Sequence, residues 1–210
     1  MYIAAFGDVH GNLAALNAVL AAIDDAGIQT LLNTGDCVVG YPWPNEVIDL
    51  LRARRIPTVQ GEMDRRTVHF VRKRNALRQR LSPTEFEAIQ QTYEALRPND
   101  LEYLRELPRQ RTLVLEGLRV VLCHGTPTSA SVSLPEHESE GRFRRIRETA
   151  NADIIVAGRT HAAFARTVDG TFFVNPGAVS DPEHPAHVAH YAVIDTETDP
   201  WSAHFHEVAW

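Results

Sequence analysis

Short apolar runs alternate with helix-period stretches from the first residues of the chain, and this alternation restricts the fold to layered strands and helices. Tyr2 to Phe6 reads as the first strand. Leu13, Leu16, Val19, Leu20 and Ile23 then recur at helical spacing, with Asn12 placed to cap that helix and Gly27 to close it. Leu31-Leu32 leads to a polar loop, Pro44 opens a second helix carrying Val47, Ile48, Leu50 and Leu51, and Ile56 to Val59 reads as a third short strand. From about Arg65 to Leu107 the pattern is polar and helical, broken into pieces by Pro83, Pro98 and Pro108. Strands resume at Thr112 to Leu115 and Leu118 to Cys123, about a Glu116-Gly117 turn. A helix around Glu138 to Ala150 and the strand Ile154 to Ala157 follow. Phe164 to Val168 and Thr171 to Val174 form a hairpin about Asp169-Gly170, and Tyr191 to Ile194 and His204 to Val208 end the sheet. The expectation is an α/β fold. At 210 residues and 44% hydrophobic, the chain can bury one sizeable core, so a single domain over 1–210 is expected, with a helical excursion at about 65–107.

No apolar run approaches the roughly 20 residues needed to span a bilayer. The start reads as a strand with no basic region before it, so a cytoplasmic protein with no membrane association is expected. Cys37 and Cys123 are too few for a disulfide framework and read as reduced packing residues. A formal net charge of -6 gives no general attraction to nucleic acid or acidic membranes. Against that total, Arg65, Arg66, Arg72, Lys73, Arg74, Arg78 and Arg80 follow one another with no carboxylate among them. They form either a solvated helix face or a positive rim that draws in an anionic substrate. Among the ten histidines, His184, His187, His190, His204 and His206 match no single metal site in their spacing and read as surface or turn residues.

The metal-capable side chains fall at one kind of place. Asp8 and His10 follow the first strand, Asp36 the second, Glu62 the third, His124 the Leu118 to Cys123 strand and His161 the Ile154 to Ala157 strand. In open α/β sheets, the carboxyl edge of the strands is where ligands bind, so five segments deliver acids and imidazoles to one crevice. Asp8 and His10 offer a hard oxygen and an imidazole on one turn between Gly7 and Gly11. Taken singly, Asp8 or Asp36 reads as a cap or turn residue, and His124 or His161 as a satisfied core or loop histidine. Together they read as a ligand set.

The ordered series Gly7-Asp8-Val9-His10-Gly11-Asn12, Gly35-Asp36, Gly61-Glu62-Met63-Asp64, Cys123-His124-Gly125, Gly158-Arg159-Thr160-His161 and Asn175-Pro176-Gly177 resembles the calcineurin-like metallophosphoesterase superfamily. The stretch Gly40 to Val47 is similar to one found in its small bacterial and archaeal phosphodiesterase branch. The resemblance runs from about Gly7 to Ser180. It implies two facing mixed β-sheets flanked by helices, a four-layer αββα sandwich. It also implies one or two divalent metals per chain, manganese first, with iron, zinc, nickel or magnesium as alternatives. Asp8, His10, Asp36 and His161 would hold the first metal, and Asp36 would bridge to a second held also by His124 and Glu62.

Two positions depart from the family pattern. Glu62 stands for the usual asparagine, and Arg159 for the usual histidine, which removes a ligand because a guanidinium stays protonated. Met63 stands where relatives often carry a histidine that can serve as general acid. The resemblance implies hydrolysis of phosphodiester or nucleotide phosphoanhydride bonds by metal-activated hydroxide. Asp36, His124 and Arg159 would be catalytic; Asn12, Arg65 and Arg66 would bind a phosphorylated small molecule or nucleotide. The loss of a proton donor favours substrates with good leaving groups. The departures also permit a Glu62–Arg159 ion pair in place of the second metal, in a catalytically weak nucleotide-binding or protein-interaction module. Nucleic acid is disfavoured as a partner, and the oligomeric state is left open.

Overall fold

The computed structural model describes residues 1–183 and 187–210. Sixteen elements follow in order: β1 Tyr2–Phe6, α1 Leu13–Asp25, β2 Thr30–Asn33, α2 Pro44–Ala53, α3 Glu62–Val68, α4 Phe70–Arg80, α5 Pro83–Ala95, α6 Pro98–Glu106, β3 Gln110–Leu115, β4 Leu118–Cys123, α7 Glu140–Ala150, β5 Ile154–Ala157, β6 Phe164–Val168, β7 Thr171–Asn175, β8 Val188–Asp195 and β9 Ser202–Ala209. They build two mixed sheets, one ordered β2-β1-β8-β9 and the other β3-β4-β5-β7-β6. In the first, β1 pairs parallel with β2 and antiparallel with β8, which pairs antiparallel with β9; in the second, β4, β5 and β7 run parallel and β3 and β6 join them as antiparallel outer strands.

Period-two alternation with apolar residues on both faces makes these strands two-sided. On β1, Ile3 and Ala5 face the second sheet while Ala4 and Phe6 face the helices. On β5, Ile154 and Val156 join the inter-sheet layer, where Leu32, Leu122 and Ile194 also meet; Ile155 and Ala157 point outward to Phe143 of α7. The four layers are therefore helices, sheet, sheet and helix.

The helices start and stop where side-chain chemistry requires. Asn12 Oδ1 accepts the Ala15 N–H at 3.1 Å and caps α1. Gly27 takes φ +71° beyond its end, where a left-handed residue is needed. Pro83 and Pro98 open α5 and α6 at positions that need no N–H. The polar middle is four helices, anchored to the first sheet's helical side by Phe86, Ile89 and Leu104. The hairpin turns expected at Glu116-Gly117 and Asp169-Gly170 have left-handed φ at both residues.

One element differs from the sequence reading. Ile56 to Val59 is not a strand but a single parallel bridge, Asn33 to Thr58. Pro57 has no N–H to continue a ladder; its carbonyl accepts from Asn33 N, and Val59 N returns to the Asn33 carbonyl. The segment still lies beside β2 and delivers Gly61 and α3 to the carboxyl edge. His187, His204 and His206 are exposed and His190 is half-buried, while His184 lies outside the described residues. Both cysteines are free and buried. Among the described residues, no helix is long and apolar enough to cross a membrane.

Candidate functional site

The turns after β1, β2, β4 and β5 meet at one edge and are tied together by backbone bonds. Asp8 N and His10 N donate to the carbonyls of Gly35 and Asp36 at 2.8 and 2.9 Å, and Gly158 N donates to His124 O at 2.7 Å. Asp8, His10, Asp36, Arg159 and His161 all take φ between 50° and 72°. Each such non-glycine residue costs roughly 1 kcal/mol of backbone energy, and the cost is tolerated where structure over-determines it. Close approach demands glycine at two points: a Cβ on Gly61 would fall onto Asp36, and one on Gly158 onto Thr34 and Asp8.

Three imidazoles share one arrangement. His10 Nδ1 lies 2.9 Å from Val39 O, His124 Nδ1 3.0 Å from Thr34 O, and His161 Nδ1 3.3 Å from Asp181 Oδ2. Anchoring Nδ1 leaves Nε2 as the inward atom, the orientation of a histidine prepared to ligate. His10 Nε2 and His161 Nε2 are 3.3 Å apart, His161 Nε2 is 3.6 Å from Asp8 Oδ1, and His124 Nε2 is 3.2 Å from Asp36 Oδ2. Ligand-type atoms of Asp8, His10 and His161 lie within 4.8 Å of one another, as do those of Asp8, Asp36 and His124. Asp8 Oδ1 and His124 Nε2 are buried without a hydrogen-bond partner; the 3.2 Å approach to Asp36 lacks hydrogen-bond alignment. Buried polar atoms left unpaired in a nest of acids and imidazoles fit a divalent cation.

The site's charges are strongly coupled. Burial opposes ionisation of Asp36, but His124, then His10 and the Met63 N–H, hold its carboxyl well below the ordinary range. Burial likewise opposes charge on His124, yet Asp36, Asp8 and Asp64 push it up to about 9. For His161, burial is outweighed by Asp8 and Asp181, again to about 9. The raised imidazoles and the lowered Asp36 carboxyl share one cause, opposite charges held close together away from water.

Five of the six expected ligands, Asp8, His10, Asp36, His124 and His161, are brought together in two overlapping clusters. Asp36 groups with Asp8 and His124, and Asp8 is the residue common to both clusters. Asp36 Oδ1 accepts the Met63 N–H at 2.7 Å, and Oδ2 faces His124. Glu62 belongs to neither cluster. One of its oxygens is paired with Arg159 Nη1, and Arg66 Nη2 donates to the other at 2.8 Å. The ion pair anticipated from sequence is formed, with Arg66 as a partner that was not anticipated. Arg65 reaches away from Glu62, its Nη2 donating to Ser131 Oγ at 3.0 Å. Asn12 is fully buried, with Oδ1 capping α1 and Nδ2 donating to Ser180 Oγ at 3.3 Å.

Sequence reasoning passed over two supports. Asp64 Oδ1 accepts the N–H groups of Cys37 and Val38 and Oδ2 that of Gly61, so it pins the Asp36 turn to the start of α3. Burial, then Asp36, raise it to about 7 despite those N–H donors. Asp181 orients His161. An acid in the first turn of α3 was visible as the last residue of Gly-Glu-Met-Asp. Asp181 follows the last quoted motif in a loop and carries no pattern.

A family model described as the calcineurin-like phosphoesterase superfamily domain matches residues 1–199. An uncharacterised protein of Methanocaldococcus jannaschii is 26% identical, the match covering 92% of this chain and 82% of that one. Among solved structures, a metallophosphoesterase from Sphaerobacter thermophilus is 26% identical, with a TM-score of 0.72 over 100% of this chain and 89% of that one. A hypothetical protein from Pyrococcus horikoshii, at 20% identity, reaches a TM-score of 0.88 over 100% of this chain and 88% of the other, which speaks for the fold.

Proposed function

The chain belongs to the calcineurin-like phosphoesterase superfamily, and from that premise we propose that it hydrolyses phosphodiester or nucleotide phosphoanhydride bonds with one divalent metal held by Asp8, His10 and His161 and supported by Asp36. Manganese is the first candidate. The observation that carries this reading is a shared imidazole arrangement: three histidines are anchored through Nδ1, His161 Nε2 lies 3.6 Å from the buried, unpartnered Asp8 Oδ1, and His124 Nε2 is itself buried without a hydrogen-bond partner. A bound cation would supply Lewis acidity and a water of lowered pKa.

The chain's own groups do the rest. Arg159 and Arg66 place two guanidiniums at the position where Glu62 sits, so the positive charge facing a phosphoryl group there comes from protein rather than from a second cation. His124, deep and fully buried, keeps Asp36 ionised and directed inward. No histidine stands at position 63 to protonate a departing alkoxide. Substrates with good leaving groups therefore suit the site, phosphoanhydrides and activated diesters among them, and simple alkyl monoesters suit it poorly. The enzyme would be a single-domain cytoplasmic hydrolase.

Metal content and turnover test this together. Protein purified without chelator should carry about one metal per chain and hydrolyse a chromogenic phosphodiester when manganese is added. His161→Ala should lower both. Unchanged metal occupancy in that variant removes the assignment; occupancy without turnover on any ester or anhydride leaves the binding-module reading, which the Glu62 ion pair favours.

A further inference from the structure

A cavity of about 280 Å³ lies between α7 and the loop that follows His124, outside the metal-type clusters. Its lining includes Thr126 and Thr128 from the loop start, Val132 further on, and Arg142, Arg145 and Ile146 from α7. The size is at the lower end of small-ligand pockets, roughly 300 Å³. Arg142 is held in place, with Nη1 donating to Glu138 Oε2 at 2.6 Å and Nη2 to Ser133 O at 3.1 Å. The Arg145 carbonyl accepts from Thr149 Oγ1 at 2.9 Å, but its guanidinium makes no hydrogen bond or ion pair among the described residues. Its Nη1 is 3.9 Å from where a side chain on Gly141 would begin, which places the guanidinium back along the helix over the first turn of α7. Val132, 41% exposed, and Ile146 give the same cavity an apolar wall.

We propose that this cavity is a second anion site, distinct from the metal-type centre, for a small organic phosphate whose oxygens meet Arg142, Arg145 and the Thr128 hydroxyl and whose apolar body rests on Val132 and Ile146. Thr126 Oγ1 is already turned to Ser129 O at 3.3 Å, so the donors open to a ligand are the Arg145 fork, the remaining N–H groups of Arg142 and the Thr128 hydroxyl, still more than a carboxylate has oxygens, which favours phosphate. The site shares a wall with the candidate centre. Gly125, next to His124, is roofed by the carbonyls of Ser129, Ala130 and Val132, and Arg65 of α3 bonds Ser131. The proposal stands whether or not the metal-type centre is catalytic.

Calorimetric titration of the full chain with phenylphosphonate, which carries both the anion and an apolar body, tests it. One binding event should survive chelation of metal and the Arg159→Ala change. Arg145→Ala should weaken that event at least tenfold, Val132→Asp should do the same from the opposite wall, and inorganic phosphate should bind at least threefold more weakly. Both substituted side chains are exposed, and matching thermal melts would show that the variants fold. Absence of an event in chelated protein, or an event unchanged in both variants, overturns the proposal.

Discussion

At Glu62 two arginines compete for one carboxylate, and this alters what a single substitution can achieve. Arg159→His would offer a ligand nitrogen, but Glu62 would still be held by Arg66, itself 3.8 Å from Glu85. The expected outcome is that Arg159→His alone gains little second-site metal, whereas Arg159→His with Glu62→Asn binds a second cation per chain, read by elemental analysis. In the cycle of Arg159→Ala and Glu62→Gln, the stability effects should be non-additive by about 1 kcal/mol, modest because Arg159 keeps some solvent contact. Additive effects would mean that the pair is not coupled. The two cysteines give a second residue-scale expectation. Burial pushes the Cys123 thiol up to about 12 and Cys37 well above its ordinary 9.0. Groups whose folded pKa is raised stabilise the fold below the unfolded value and lose that contribution as pH climbs through the folded one. Neither thiol should react with a disulfide reagent at pH 8 until the chain unfolds, and stability should fall as pH rises above about 9. Rapid labelling of native protein at pH 8 would contradict the buried placement.

Between elements, the site depends on how firmly the β2 to α2 turn is tied to α3, and Asp64 makes that tie with three backbone N–H groups. Asp64→Ala leaves these buried donors without an acceptor, so a loss of about 3 kcal/mol is expected, read from the urea midpoint. Asp64→Asn, which keeps one acceptor oxygen, should lose less; equal behaviour of the two would assign the effect to packing. The strands and helices were legible because their hydrophobic periods are strong: β1, β4 and β5 are apolar on both faces, and α1 carries its stripe between a cap and a glycine. The segment at Ile56 to Val59 misled because Pro57 forbids a ladder in an otherwise β-like run. The clustering of Asp8, His10, Asp36, His124 and His161 was legible because these residues recur after strand ends, and the Glu62–Arg159 pair because two departures of opposite charge point at one place. Arg66, Asp64 and Asp181 were not assigned these contacts, since their partners are set by how the turns meet in three dimensions. The cap role of Asn12 was legible, while its full burial and its bond to Ser180 are set by the tertiary fold.

For the molecule as a whole, the question is how a chain of net charge -6 would attract an anionic substrate. Helix α4 concentrates Arg72, Lys73, Arg74, Arg78 and Arg80 on an almost fully exposed surface with Val71, held through Phe70 and Leu77. It follows α3 directly, and α3 begins at Glu62 of the site. The field is felt nearby: burial and then Arg72, Lys73, Arg65 and Arg105 lower the His69 pKa. Arg74 and Arg78 also lie over Phe70 and Phe86, so removing them would disturb packing as well as charge. Arg72 and Lys73 make no such contact among the described residues and are the clean probes. If α4 steers substrate, Arg72→Glu with Lys73→Glu should lower kcat/KM about tenfold at low salt and leave kcat near its parent value, because steering acts on encounter rather than on bond breaking. That difference should shrink at about 0.15 M ionic strength, where the screening length falls to about 8 Å. A metal-stripped control separates the field from the site, since steering of a dianionic fluorescent probe should persist there while hydrolysis does not. Indistinguishable kinetics for parent and variant across the salt range would make α4 a solvated face.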